Sequence, residues 1–178
     1  MNKLEDMKGL KIRGGSRVIN QMLEKLGATP VGMPVPAVTE ALSKGVIDAT
    51  TIPWEVTPSL KVAELVKNHT SFSGKNGLYT QTFVVAMNKA SYDKLPDDLK
   101  KVIDDNSGIE TAAFFGKVMD EGDKRGLGIA EKLGNNMITL DEAETKRWKD
   151  TAAPLIEAWE AEMTAKGKDG KALVSEAL

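Results

Sequence analysis

Residues 10–55, LKIRGGSRVINQMLEKLGATPVGMPVPAVTEALSKGVIDATTIPWE, alternate between two kinds of patterning. LKIR at 10–13 is short, mostly apolar and closed by Gly14-Gly15. Val18, Ile19, Met22, Leu23 and Leu26 then recur at intervals of three and four, as one buried face of a helix requires. Gly27 stands where a left-handed helix stop would sit. Residues 30–33 form a second extended run. Val38, Ala41 and Leu42 make a brief helical face that Gly45 ends. Residues 46–52 form the third run, closed by Pro53, which cannot continue a central strand. Strands alternating with helices at this spacing predict right-handed crossovers and a parallel sheet.

In open sheets of this kind ligands sit beyond the carboxyl ends of the strands. Arg13 follows the first strand and Pro53-Trp54-Glu55 follows the third. An arginine held at a strand end offers a planar fork to a carboxylate; it is equally a surface charge balancing a nearby acid. A tryptophan beside it supplies an apolar wall and an indole donor, or simply belongs to the core.

Several stretches resemble one family. DMKGLKIR at 6–13, LGATPV at 26–31, ALSKGVID at 41–48 and MNKASYDKLPDDLKKVIDD at 87–105 are similar to the solute-binding proteins of tripartite ATP-independent periplasmic (TRAP) transporters. The match runs over nearly the whole chain. The resemblance implies a periplasmic-binding-protein-like α/β fold: a parallel-rich sheet flanked by helices, a long bridging helix, and a small organic acid bound between two lobes and delivered to membrane permease subunits. The strand-end arginine that grips the ligand carboxylate in the family matches Arg13. Many members carry an aromatic residue shortly after the second strand, where this chain has Val35, and an asparagine before the proline of the third, where it has Ile52. A branch of the family carries the PWE seen at 53–55. The expected ligand-binding set is therefore Arg13, Val35, Ile52, Trp54 and Glu55, with no catalytic residue, metal or cofactor.

The chain has 178 residues, enough to bury a sizeable core. Hydrophobic residues make up 41% and charged residues 28%, which places it among globular chains. A net charge of -2 with acids and bases interspersed gives no electrostatic footprint for nucleic acid. The lack of cysteine excludes disulfides, thiolate nucleophiles and cysteine–zinc sites. Residues 1–8 are polar and charged, unlike a signal peptide. The family being secreted and longer, the resemblance implies that this chain corresponds to the later part of such a protein, with the first lobe absent.

Further along, residues 57–67 read as a helix. Asn68-His69-Thr70 matches a glycosylation sequon, and the lone His69 reads as a solvated or capping residue. Lys75-Asn76-Gly77 reads as a turn. The β-rich run at 78–88 reads as a strand, which the resemblance makes the crossing strand between lobes. Pro96 with Asp97 and Asp98 opens a helix whose inner face is Leu99, Val102 and Ile103. Residues 109–133 read as one long helix, with Gly122 and Gly126 on its apolar stripe so that something packs closely there. Residues 136–140 read as a strand. Asp141 with Glu144 reads as a capping box. Trp148, Ala152, Leu155, Trp159 and Met163 form a stripe that Pro154 kinks or splits, with both tryptophans in the core. Residues 170–178 read as a terminal helix.

These readings predict two units: 1–77 as a ligand-binding lobe, and 78–178 as crossing strand, long helix and terminal helices completing both lobes. The expected function is carboxylate binding for a TRAP-type transporter in the periplasm. Two other readings stay open: an α/β enzyme using Glu55 or Asp48 as acid or base, and a helical assembly module. Apolar faces left without the first lobe predict a homodimer built by 78–88, 109–133 and the tryptophan stripe.

Overall fold

A computed structural model describes residues 1–75 and 77–177. Strand β1 (Lys11–Gly14) is followed by α1 (Arg17–Lys25), β2 (Thr29–Gly32), α2 (Val38–Ser43) and β3 (Ala49–Thr50). The sheet order is β2-β1-β3, with both pairings parallel. Central β1 is buried from Ile12 to Gly14. Ser16 caps α1 by accepting from the Ile19 N–H, and Gly27 takes φ +95° just past its end. Ile19, Met22 and Leu23 face inward, as their spacing requires, whereas Val18, expected on the same face, is exposed. The parallel sheet and the alternation read from the sequence are therefore present.

The third run is shorter than expected. Val46 and Ile47 are spent closing α2, their N–H groups donating to Ala41 O, so only Ala49–Thr50 pairs as strand. The helix expected at 57–67 reduces to α3 (Val62–Leu65). Lys61 adopts φ 54°, a left-handed conformation that interrupts any helix arriving from Thr57.

Strand β4 (Asn68–Phe72) was not visible in the sequence. It pairs in parallel with the strand expected at 136–140, residue by residue from Asn68↔Asn136 to Phe72↔Leu140. The sequon thus lies within a paired strand. The expected turn at Lys75-Asn76-Gly77 falls partly outside the described residues.

The strand expected at 78–88 is not formed. Val84 and Val85 are 81% and 87% exposed, and no described residue pairs with them. β-Propensity alone cannot make a strand without a partner edge to accept its hydrogen bonds. Next come α4 (Lys89–Asp93), capped by Asn88, α5 (Asp97–Asp105) and the long α6 (Ile109–Lys132). Leu99 and Val102, expected to face inward on α5, are exposed, as is the start of α6 at Ile109, Phe114, Phe115 and Val118.

Strand β5 (Asn136–Leu140) leads into α7 (Glu142–Ala152), α8 (Pro154–Ala165) and α9 (Gly170–Ala177). Pro154 opens α8 and so splits the stripe in two. Leu178, assigned to the terminal helix, lies outside the described residues. Asp141 caps α7 by accepting from the Glu144 N–H at 2.8 Å. The reciprocal half of the capping box is not made: Glu144 instead accepts from the Leu4 N–H and from Trp148 Nε1. Trp148 is 3% exposed and meets Phe72 edge-on at 5.3 Å. Trp159, expected in the core, is only half-buried, because nothing in the main cluster reaches it. That cluster joins both ends of the chain, packing Met7, Ile12 and Leu23 with Leu140 and Trp148.

Candidate functional site

The order β2-β1-β3 creates a switch point. The chain leaves β1 toward β2, then returns to the other side of β1 as β3. In open sheets of this kind, ligands bind beyond the strands' carboxyl ends at such a point. Arg13 sits at that point and is 6% exposed. Its Nε donates to Met33 O at 3.1 Å and its Nη1 to Thr51 O at 3.1 Å. The guanidinium therefore hangs between the backbone exits of the two flanking strands. A Cβ on Gly15 would lie 3.3 Å from Nη1 and 3.4 Å from Nη2, so the glycine leaves room for the guanidinium. Among the described residues no carboxylate forms an ion pair with Arg13. Burial pulls its pKa down, and the nearby Tyr79 phenol opposes that. An arginine nevertheless stays charged at any working pH. Two of its five N–H groups are committed to carbonyls, which accept hydrogen bonds without neutralising the charge.

Beyond β3 the chain enters a 3-10 turn, Trp54–Val56, which borders an open cleft of about 1180 Å³. Ile52, Trp54 and Glu55 line that cleft, together with Thr51, Tyr79 and His69; Arg13 does not line it, but its Nη1 donates to Thr51 O and it lies beside Tyr79, both of which do. Trp54 is half-buried, and its indole lies against the His69 imidazole with centroids 5.0 Å apart, tilted by 40°. Its carbonyl accepts from the Thr57 hydroxyl at 2.7 Å and rests on α6, where a Cβ at Gly126 would come within 2.0 Å of it. The close packing expected from the α6 glycines is thus on the turn that carries Trp54. The Glu55 N–H donates to Asp123 Oδ1 at 2.7 Å. Burial, then the Asp123 charge, pushes the Glu55 carboxyl above its ordinary pKa. Val35 lies in a second 3-10 turn, Val35–Ala37, two residues beyond the carbonyl that holds Arg13, and does not line the large cleft. Asp48, the other acid considered, accepts from the Lys11 N–H at 2.8 Å. Among the described residues no group of three or more His, Cys, Asp or Glu side chains gathers for a metal, and no helix is long and apolar enough to cross a membrane.

Three features escaped sequence reasoning. Tyr79 stands beside Arg13 and Thr51; burial raises its pKa, while the Thr51 side chain and then the Arg13 charge lower it. The Asn20 amide sits over β1, where a Cβ at Gly14 would fall within 2.1 Å of Oδ1, and that oxygen is buried without a donor. His69 is neither solvated nor a cap: it is half-buried between Trp54 and Asn135, because β4 carries it into the second sheet. Only the first could have been read in advance, as a tyrosine just after a turn.

The family profile described as bacterial extracellular solute-binding protein, family 7, matches residues 1–162. The chain belongs to this family. A solute-binding protein of Albidiferax ferrireducens is 32% identical over 149 residues, 83% of this chain and 43% of its own. The C4-dicarboxylate-binding periplasmic protein DctP of Rhodobacter capsulatus is 30% identical over 162 residues, 90% of this chain and 44% of its own. Among solved structures, a TRAP solute-binding protein from Rhodoferax ferrireducens in complex with copurified benzoate is 46% identical, with a TM-score of 0.93 over 98% of this chain and 55% of that one. A marine-metagenome TRAP solute-binding protein specific for aromatic acid ligands is 44% identical, with a TM-score of 0.92 over the same shares, 98% and 55%. The chain spans about half the length of these relatives. Its α/β fold, with parallel sheets flanked by helices, is theirs.

Proposed function

We propose that this chain supplies a carboxylate-binding surface of a TRAP-type solute-binding protein, which takes up a small organic acid in the periplasm and hands it to membrane permease subunits. The observation that carries the reading is Arg13: a buried guanidinium, held in place by two neutral carbonyls, with no acid partner among the described residues. The ligand carboxylate supplies the missing charge, while Trp54 and Ile52 offer apolar wall and Glu55 borders the cleft; Val35 sits on the turn just after Met33, whose carbonyl holds Arg13, outside the cleft lining. The relatives at 44–46% identity are described with benzoate and other aromatic acids, whereas those described with malonate and succinate are 26% and 28% identical. Together with the indole wall, this favours an aromatic monocarboxylate. No step in this function needs a nucleophile or a proton shuttle, and Asp48 is engaged by the backbone.

The test is calorimetric titration of benzoate and of succinate into the wild-type chain and into Arg13→Lys. A bidentate charge-assisted pair contributes about 1.5–3 kcal/mol, so Arg13→Lys should weaken benzoate binding at least about tenfold. Unchanged affinity in the variant removes Arg13 from the site, and no binding of either acid by the wild-type chain overturns the reading.

The proposed division is a lobe at 1–77 that carries the grip and a second unit at 78–178 that completes it. The exposed apolar residues of 83–118 support a homodimer as the state of this chain, because two copies could cover each other's Val84, Phe114 and Phe115. Sedimentation equilibrium over a wide concentration range should show monomer–dimer exchange, and a monomer throughout ends that proposal.

A further inference from the structure

His69 is the sole histidine in the sequence and pairs with Met137 across β4 and β5. Its Nε2 lies 3.1 Å from the side-chain nitrogen of buried Asn135. That same nitrogen lies 2.7 Å from Ala63 O and 3.1 Å from Val66 O, at the end of α3. Carbonyl oxygens only accept, so the amide must present its NH₂ on this side. Turned over, its Oδ1 would face two carbonyl oxygens. In the orientation the carbonyls enforce, Oδ1 is buried with no donor, so the NH₂ makes all of the amide's hydrogen bonds. The NH₂ has two hydrogens for three acceptors, so one N–H is shared; a proton on Nε2 would point at those hydrogens, so Nε2 faces them as an acceptor. The imidazole is uncharged, with its proton on Nδ1.

The imidazole is also one wall of the seat in which Trp54 rests, at 5.0 Å between ring centroids. A line of contacts runs from α3 through Asn135 and His69 to Trp54 and the cleft. We propose that His69 is a positioning residue for Trp54: Asn135 locks the imidazole in its Nδ1–H form, the ring backs the indole, and adding a proton to Nε2 sets N–H against N–H and loosens the indole wall. Only the description of Trp54 as a ligand wall rests on the proposed function.

Of the charged groups on the surrounding elements, only some share the cleft with His69. Those that line the cleft with His69 are Asp48, Glu55, Asp120 and Asp123 among the acids and Lys67 and Lys75 among the bases, while β5 carries none. None of them displaces the His69 pKa, which burial alone pushes down, in the direction the Asn135 contact requires.

Because the chain has one imidazole, long-range proton–nitrogen NMR reads its tautomer and titration without ambiguity. Fluorine NMR of the chain labelled with fluorotryptophan reports the indoles, the Trp54 signal being the one missing from Trp54→Phe. The expected result is the Nδ1–H tautomer at pH 7.5, and a Trp54 signal that moves with the same midpoint as the imidazole. In His69→Gln, whose amide oxygen can accept from Asn135 but does not titrate, that movement should vanish. Benzoate affinity should fall at least threefold on acidification through the His69 midpoint in the wild type and stay level in His69→Gln. An Nε2–H tautomer, a Trp54 signal indifferent to the titration, or an equal loss of benzoate affinity in His69→Gln each overturns the inference. If benzoate fails to bind at every pH, the proposed function falls, while the two NMR readings still decide the link from His69 to Trp54.

Discussion

Helix α6 contains four glycines, and the structure predicts opposite signs for the same substitution along it. At Gly116 and Gly128 a new Cβ would meet nothing within 4 Å. Alanine there removes backbone freedom from the unfolded chain and adds helix propensity, a gain of about 0.5–1 kcal/mol. At Gly126 the Cβ would fall 2.0 Å from Trp54 O, 2.8 Å from its carbonyl carbon and 2.9 Å from Thr57 Oγ1. Two of those atoms are backbone in a turn already held by the Thr57 hydroxyl and by the Asp123–Glu55 contact, so the neighbours cannot swing aside. Overpacking of this kind costs about 1–3 kcal/mol or more and outweighs the propensity gain. The expected spread between Gly116→Ala and Gly126→Ala is about 2 kcal/mol, or roughly 4–8 °C in Tm for a chain of this size. Gly122→Ala, whose Cβ would lie 2.8 Å from Glu55 Cβ, should fall between them. Thermal and urea unfolding of the single variants measures this directly. A Gly126→Ala variant as stable as Gly116→Ala would show that α6 does not rest on the Trp54 carbonyl, and the placing of the cleft wall would have to be withdrawn.

Asp141→Ala removes the oxygen that caps α7 and should cost about 1 kcal/mol, while Asp141→Asn should cost much less; equal losses in both would assign the effect to charge instead of capping. The His69 pKa is depressed in the folded chain, so on acidification the unfolded chain takes up the proton first. His69 therefore contributes stability that is whole above about pH 6.5 and is lost as pH falls below it toward the folded value. Urea midpoints at pH 8 and pH 5.5 should differ less in His69→Gln than in the wild type, and an undiminished difference would remove His69 from the acid response.

What the sequence disclosed was local. The α1 face from Ile19 to Leu26, its glycine stop and the Asp141 cap depend on residues within a few positions of one another, and each appears in the structure; the α6 helix forms, but its expected stripe is exposed at Ile109, Phe115 and Leu133. What it hid was distant. NHTSF at 68–72 has a weak apolar pattern and becomes a strand only because β5 lies alongside it, 68 residues later. The opposite error arose at 78–88, where β-branched and aromatic residues predict a strand that pairs with none of the described sheet edges. The site divides the same way. Arg13 and Trp54 were legible as strand-end residues, but the groups that orient them are backbone carbonyls at Met33 and Thr51 and a histidine delivered by the second sheet. A backbone carbonyl leaves no mark in residue identity, so the sequence could propose Arg13 as a grip but could not show its mounting.

That mounting is why the proposed grip would favour anions. Hydrogen bonds to Met33 O and Thr51 O hold the guanidinium and set its plane while leaving its charge unneutralised. A carboxylate from the chain itself in that position would compete with the ligand, and the described residues supply none. The cost of keeping Arg13 6% exposed without a counter-charge falls on the unliganded fold, so part of the desolvation that binding would otherwise require is already met. A neutral ligand of the same shape leaves that charge uncompensated; an acid relieves it. On the proposed reading, discrimination by Arg13 would follow from charge and from fixed donor direction, and discrimination along the cleft would fall to Ile52, Trp54 and the imidazole behind the indole.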